Sequence, residues 1–183
     1  AMDAIAKWLV APLQHWDAII CTSSAVKTHV ELILQAEAKR LKSRLGITRV
    51  TLPQLPVIPL GIHTDDFKFS ESEKVRAREA LGIDENTLVV LYMGRLSFHA
   101  KSHPMAMYQA LEIAAQQTTK KVVLVEAGWY ANDYIQRAFR QAQKVCCPSV
   151  EVVHLDGRVE SNRKIAWGCA DVFCSLSDNI QET

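Results

Sequence analysis

Four short apolar runs, each separated from the next by a helical pattern, constrain the fold of this chain more than any other feature. The runs are apolar on both faces, which is typical of parallel strands covered by helices on either side of a sheet. Regular alternation of such strands with helices predicts a doubly wound α/β fold with a parallel sheet. The predicted strands are Leu88–Met93, Lys121–Val125, Val150–Leu155 and Val172–Cys174, and the predicted helices are Ser70–Gly82, Pro104–Gln117, Asn132–Val145 and Asn162–Cys169.

The chain before this alternating region is organised differently. A strand is predicted at Ala18–Cys21, and a long amphipathic helix follows, with Thr22, Ser23 or Ser24 as its cap and a stop at Gly46. Three prolines then interrupt residues 53–59, and proline suits neither a helix interior nor a central strand. We therefore predict three parts: a first segment over residues 1–52, an extended connector over 53–69, and the α/β domain over 70–183.

Charge and composition exclude several classes of function. The chain has 21 basic and 20 acidic residues, and no basic run is longer than two neighbours, so a nucleic-acid partner is not predicted. No apolar run approaches the roughly 20 residues of a membrane-spanning helix. The five cysteines are odd in number, form no CxxC pair and follow no signal peptide, which predicts a cytoplasmic protein in a reducing compartment.

The junction after the first predicted strand has the features of an anion site. Gly94-Arg95 follows the strand directly, Lys101 adds a second cation, and Pro104 opens the next helix. A single cation here would be an ordinary surface charge, but two cations beside free backbone N–H groups favour an anion, most economically a pyrophosphate. The segment is neither a Walker loop nor a GxGxxG fingerprint.

Two other loops follow predicted strands and are expected at the same edge of the sheet. The turn Asp156–Val159 could read a flat ring through its backbone N–H and C=O groups, or could be a simple turn. Glu182 lies in a polar segment that would face the crevice containing Arg95, or could belong to a frayed terminus. His99 and His103 lack a third ligand, and Asp65-Asp66 suits a turn, so no metal site is predicted.

An ordered set of motifs resembles a known family. The segments VIPLGIHTDDF, MGRLSFHAKSHP, LDGRV and ADVFCSLSDNIQET follow one another in the order and spacing of the retaining, nucleotide-sugar-dependent glycosyltransferases often called group 1. The resemblance spans about residues 17–183. It implies the GT-B fold, in which two Rossmann-like domains face each other and the C-terminal one binds most of the sugar donor.

The resemblance also implies roles for individual residues. The donor pyrophosphate is expected at Gly94, Arg95 and Lys101, and Ser102 replaces the glycine that is usual after the lysine. The nucleobase and ribose are expected at Gly157, Arg158 and Val159. Glu182 matches the first glutamate of the family's Glu-x7-Glu motif, which contacts the donor sugar, whereas the second would fall beyond Thr183. The residues implied in catalysis are Glu182, Arg95 and Lys101.

The function implied is transfer of a sugar from a nucleotide diphosphate to an unknown acceptor, with retention of configuration and without a metal or other cofactor. On this interpretation residues 1–52 are the last strand and helix of an acceptor-binding domain. The chain is then a fragment that is inactive alone and that could form a homodimer through its N-terminal helix. Two alternatives stay open: a non-catalytic nucleotide-binding or interaction module, and a nucleotide-sugar epimerase.

Overall fold

The computed structural model describes residues 2–98 and 103–176, with side chains from residue 4 onward. The described chain forms two compact units, the first reaching Ile62 and the second beginning at His63. The helices are α1 (Met2–Lys7), α2 (Ser24–Leu45), α3 (Glu71–Glu79), α4 (Pro104–Gln117), α5 (Asp133–Cys146) and α6 (Glu160–Cys169), and the strands are β1 (Leu88–Leu96), β2 (Val122–Tyr130), β3 (Glu151–Asp156) and β4 (Val172–Phe173); short 3₁₀ turns occupy Trp8–Val10 and Thr64–Phe67.

The long helix of the first unit has the caps that its sequence predicts. The Ser23 hydroxyl accepts a hydrogen bond from the backbone N–H of Val26, and Gly46 ends α2 in the left-handed conformation at φ 64°. Val30 and Leu34 are buried against Cys21 and the partly buried side chains of Ile5, Leu9, Ile19, Val26 and Leu55. Contacts within their own unit therefore remove these apolar side chains from water, and their burial does not require a second copy of the chain.

The prediction of a continuous strand at Ala18–Cys21 is wrong. Only two isolated parallel bridges form, between Ala18 and Gln54 and between Cys21 and Val57. In the opposing segment the N–H groups of Gln54 and Ile58 donate to the carbonyls of Asp17 and Cys21, but Pro56 between them has no N–H to donate. The pairing is therefore interrupted at Pro56.

The second unit is a Rossmann-like α/β fold, as the alternating pattern predicts. Its four strands are parallel and lie in the order β3-β2-β1-β4. Even-numbered residues of β1 such as Tyr92 pack beneath α4 and α5, whereas odd-numbered residues such as Leu91 pack beneath α3 and α6. The central strands β1 and β2 are thus covered on both faces, whereas Val172 and Phe173 of β4 are exposed, and the carboxyl ends of the strands form one edge.

The predicted strand ends differ from the structure at this edge. β1 continues beyond Met93 to Leu96, and β2 continues beyond Val125 to Tyr130, so Gly94 and Arg95 belong to a strand rather than to a loop. The ladder continues because Gly94 lies opposite Gly128 in the parallel register, where neither residue has a side chain to separate the backbones. The helix that follows β3, α6, also begins two residues earlier than predicted, at Glu160.

Asp171 is expected to contribute to stability at the opposite edge of the sheet. Its carboxylate accepts from Arg78 Nη2 at 2.7 Å and from the backbone N–H of Val89 at 2.8 Å. Because Asp171→Ala leaves both donors without this acceptor, we expect a loss of about 2 kcal/mol in the free energy of unfolding, measured by urea denaturation. The control Asp65→Ala removes a carboxylate that pairs with Lys68 in water, and it should leave the urea midpoint unchanged.

Candidate functional site

Three glycines meet at the carboxyl edge of the sheet. A Cβ atom built on Gly128 would lie 2.0 Å from the carbonyl oxygen of Gly94, and one built on Gly157 would lie 3.1 Å from the Gly128 Cα. The backbone N–H of Gly157 donates to the Gly128 carbonyl at 3.1 Å. The backbones of three neighbouring strands are therefore closely packed at this edge. Because glycine has no side chain, a ligand can approach the backbone at these positions. Gly94 and Gly157 are among the predicted binding residues, whereas no role is predicted for Gly128 from the sequence.

Arg95 presents a cation at this edge. It lies opposite Trp129 in the register of β1 and β2. Because Arg95 is two residues beyond Met93, it lies on the same face of the sheet as Met93. The side chain is exposed, and no carboxylate within the described part of the chain pairs with its guanidinium. A planar cation without an internal partner is suited to bind two oxygens of an anion.

The N-terminus of α4 lies just beyond the end of β1 in the chain. The helix begins at Pro104, and its N-cap residue, His103, makes no side-chain capping hydrogen bond. Among the described residues no side chain accepts from the N–H groups of Met105 and Ala106, and the helix dipole favours an anion beside them. Lys101, His99 and Ser102, as well as Glu182, lie outside the described residues.

The turn after β3 has most of its backbone donors in internal hydrogen bonds. The N–H of Arg158 donates to the Asp156 carboxylate at 3.0 Å, and the N–H of Val159 donates to the Asp156 carbonyl at 3.1 Å. Arg163 Nη1 donates to the carbonyls of Gly157 and Arg158 at 3.0 and 3.1 Å. A contact to a nucleobase here has to use the second lone pairs of these carbonyls or the exposed Val159 side chain.

The Arg158 side chain folds back onto the same turn. Its guanidinium makes a bidentate pair with Asp156, with Nη2–Oδ2 at 2.7 Å and Nε–Oδ1 at 2.9 Å. The hydrogen bonds from Arg158 lower the pKa of Asp156 to about 2, so the carboxylate is ionised at neutral pH. This pair holds the turn in shape, and the role of Arg158 in binding nucleobase or ribose stays a prediction.

A buried carboxyl group that the sequence does not predict lies beneath the edge. Glu126 directly follows the predicted strand end at Val125, but it lies inside β2 and is 1% exposed. The hydroxyl of Tyr108 donates a short hydrogen bond to it, and Gln143 Nε2 donates at 2.8 Å. A single acid within the apolar run VVLVEAGW was the available signal, because a buried charge requires such partners.

The described residues contain neither a cluster of metal ligands nor a membrane-spanning helix. No group of three or more His, Cys, Asp or Glu side chains within residues 4–98 and 103–176 could hold a metal ion. In the same part of the chain, every helix is too short or too polar to cross a lipid bilayer.

Several solved structures are similar to the chain. HepE from Anabaena in complex with UDP is 15% identical, with a TM-score of 0.63. A glycosyltransferase from Rickettsia africae is 14% identical with a TM-score of 0.56, and an α,α-trehalose-phosphate synthase from Burkholderia vietnamiensis is 15% identical with a TM-score of 0.54. No protein-family model matches the chain, and a search of curated proteins finds no match.

The similarities extend over nearly all of this chain but over less than half of each solved structure. They cover 98%, 96% and 96% of this chain but only 43%, 42% and 41% of the three solved structures. The chain therefore spans less than half the length of the structures it matches. At this level of identity the similarity establishes the fold, and the Rickettsia africae neighbour is itself a glycosyltransferase.

Proposed function

We propose that this chain is the donor-binding part of a retaining glycosyltransferase that uses a nucleotide-diphosphate sugar. The observation that carries the proposal is Arg95 near the end of β1, an exposed cation for which the described residues supply no carboxylate partner. In open α/β sheets ligands bind outside the carboxyl ends of the strands, and both Arg95 and the start of α4 lie at that end of β1. Further support comes from HepE, a protein of the same fold whose solved structures contain UDP and UDP-glucose.

The proposed roles follow from the chemistry of the donor diphosphate. The Arg95 guanidinium would bind two phosphate oxygens, while Lys101 and the first amides of α4 bind others. These groups stabilise the negative charge that grows on the diphosphate as the bond to the sugar breaks. With the charge neutralised in this way, the reaction would need no metal ion.

The transfer itself is proposed to occur on one face of the sugar. The bond between the anomeric carbon and the diphosphate oxygen breaks, and its electron pair leaves with the diphosphate. The acceptor oxygen forms the new bond on the same face, and its proton passes to the departing phosphate, so the configuration is retained. Glu182 would contact the sugar, and Gly157–Val159 would contact the nucleobase and ribose.

Chemical-shift mapping with UDP tests the location of the diphosphate site. We expect UDP to shift the backbone amide resonances of Gly94, Arg95, Met105 and Ala106, because the phosphates lie against these groups. Uridine is the matched control, since it has the same base and ribose but no phosphate, and it should leave these four amides unchanged. Shifts confined to other parts of the chain, or no shifts at all with UDP, would contradict the proposal.

A further inference from the structure

One buried carboxylate joins two helices to the middle of the sheet. Glu126 of β2 receives a hydrogen bond from the Tyr108 hydroxyl of α4 at Oε1 and one from Gln143 Nε2 of α5 at Oε2, the latter at 2.8 Å. Gln143 Nε2 also donates to the Tyr108 hydroxyl at 3.1 Å, which closes the three side chains into a ring of hydrogen bonds. The Tyr130 hydroxyl lies 3.5 Å from Oε2. We call these residues the Glu126 cluster.

The Glu126 cluster lies close to the N-terminus of α4. Tyr108 is four residues after Pro104, which corresponds to about 6 Å along the helix axis. Glu126 and the residues of the helix start, His103 and Pro104, also line a common cavity of about 10 Å³, roughly one water-sized sphere. A change at the carboxylate is therefore felt within one turn of the helix start.

We propose that Glu126 is a positioning residue, which holds the first two turns of α4 against β2 and thereby sets the place of the helix N-terminus at the carboxyl edge of the sheet. Its importance for the donor rests on the proposed function, because the diphosphate is there assigned to this N-terminus. Simple space-filling does not describe the role. An apolar residue at position 126 would leave the buried Tyr108 hydroxyl and the Gln143 amide without their shared acceptor.

The protonation of Glu126 gives this role a measurable signature. Burial raises the pKa of Glu126 to about 7, although the hydrogen bonds from Tyr108, Gln143 and Tyr130 act to lower it. The neutral acid is therefore favoured while α4 is in place. Opening of α4 exposes the carboxyl to water, where its pKa returns towards the ordinary value. By linkage, α4 should open more readily as the pH rises from about 5 through 7, because the open state then loses the proton first.

Other ionisable groups around the carboxyl have to be separated from it. Burial raises the pKa values of Tyr108 and Tyr130, and it lowers the pKa of His154, whose ring stacks on Tyr130. The variant Glu126→Gln makes the separation, since the amide is always neutral while these neighbours are unchanged. Among the described residues, the titratable groups that face Glu126 are Tyr108 and His103 at α4, Tyr130 of β2, Cys147 at the end of α5, and His154 of β3. Arg140 of α5 acts on Tyr130 and His154.

Hydrogen–deuterium exchange at the amides of Met107–Leu111, the first in α4 that donate hydrogen bonds within the helix, tests the proposal. After correction for intrinsic exchange rates, the opening equilibrium of the wild-type chain should rise about tenfold or more between pH 5.5 and pH 8.5. Glu126→Gln should keep its low-pH protection over the whole range. Tyr108→Phe should exchange faster than wild type at both pH values, because it removes the hydroxyl that ties α4 to the carboxyl.

A matched control exists on the same helix. Glu112 is a half-buried acid of α4 that accepts from the Ser149 N–H at 2.9 Å, so Glu112→Gln removes one charge without touching the Glu126 cluster. This variant should follow the wild-type pH profile. An equal pH dependence in wild type and Glu126→Gln, or wild-type exchange in Tyr108→Phe, would overturn the proposal.

Addition of UDP-glucose separates this proposal from the proposed function. Its diphosphate has an ester at each end and does not titrate in this range, and bound donor should slow exchange at the same amides of α4. Protection by UDP-glucose supports the donor site at this helix. Without such protection the donor assignment is overturned, and the exchange data collected without ligand still decide the role of Glu126.

Discussion

Replacing Gly128 by alanine is expected to destabilise the second unit by roughly 3 kcal/mol, an effect at the upper end of overpacking. The added Cβ would lie 2.0 Å from the Gly94 carbonyl oxygen, a backbone atom that cannot rotate out of the way. Relief requires β1 and β2 to separate at the carboxyl edge, where Gly94 pairs with Gly128 in the register. The same separation would displace Arg95 and weaken any ligand bound beside it.

Gly61→Ala provides the control for this prediction. A Cβ built on Gly61 meets no heavy atom within 4 Å, so the same chemical change should leave the urea midpoint close to that of the wild type. Two measurements are informative: urea denaturation of both variants, and their far-UV circular dichroism. A Gly128→Ala protein with wild-type stability would show that the two backbones are not in close contact at this edge.

The helices were predicted well from the sequence because their ends are encoded locally. Ser70 and Glu73 form a reciprocal capping box at the start of α3, and Gly46 ends α2 with a positive φ. In each case the residues that make the interaction lie within one turn of one another. Local chemistry alone therefore determines where these helices begin or end.

The strand ends and the buried acid could not be predicted in the same way. β1 and β2 extend through Gly94 and Gly128 because the two glycines meet across the sheet, a relation between residues 34 positions apart. Glu126 is buried because Tyr108 and Gln143, which are 18 and 17 positions away, supply its donors. A lone acid in an apolar run predicts a loop as readily as a satisfied core residue until these partners are known.

The candidate site was predicted in part. Gly94, Arg95, Gly157 and Val159 lie at one edge of the sheet, as parallel strands require. The close pairing of Arg158 with Asp156 was not expected, because an i, i+2 ion pair depends on the shape of the turn rather than on spacing. The assignments of Lys101 and Glu182 fall outside the described residues and stay predictions.

Arg95→Ala should weaken the binding of UDP by about 1.5–3 kcal/mol, or roughly 10- to 150-fold, if the guanidinium binds the diphosphate through charge-assisted hydrogen bonds. The variant should fold normally, because the Arg95 side chain is exposed and has no carboxylate partner among the described residues. The matched control is Arg76→Ala. This change also removes an exposed arginine, but from the last turn of α3, which leads into the start of β1 rather than its carboxyl end.

Isothermal titration of UDP into the wild-type chain, Arg95→Ala and Arg76→Ala, in one buffer at one salt concentration, is the most direct test of the diphosphate site. The expected result is measurable binding to the wild type, unchanged affinity for Arg76→Ala, and a loss of at least about tenfold for Arg95→Ala. Equal affinities for the wild type and Arg95→Ala would contradict the assignment of the donor diphosphate to this edge of the sheet.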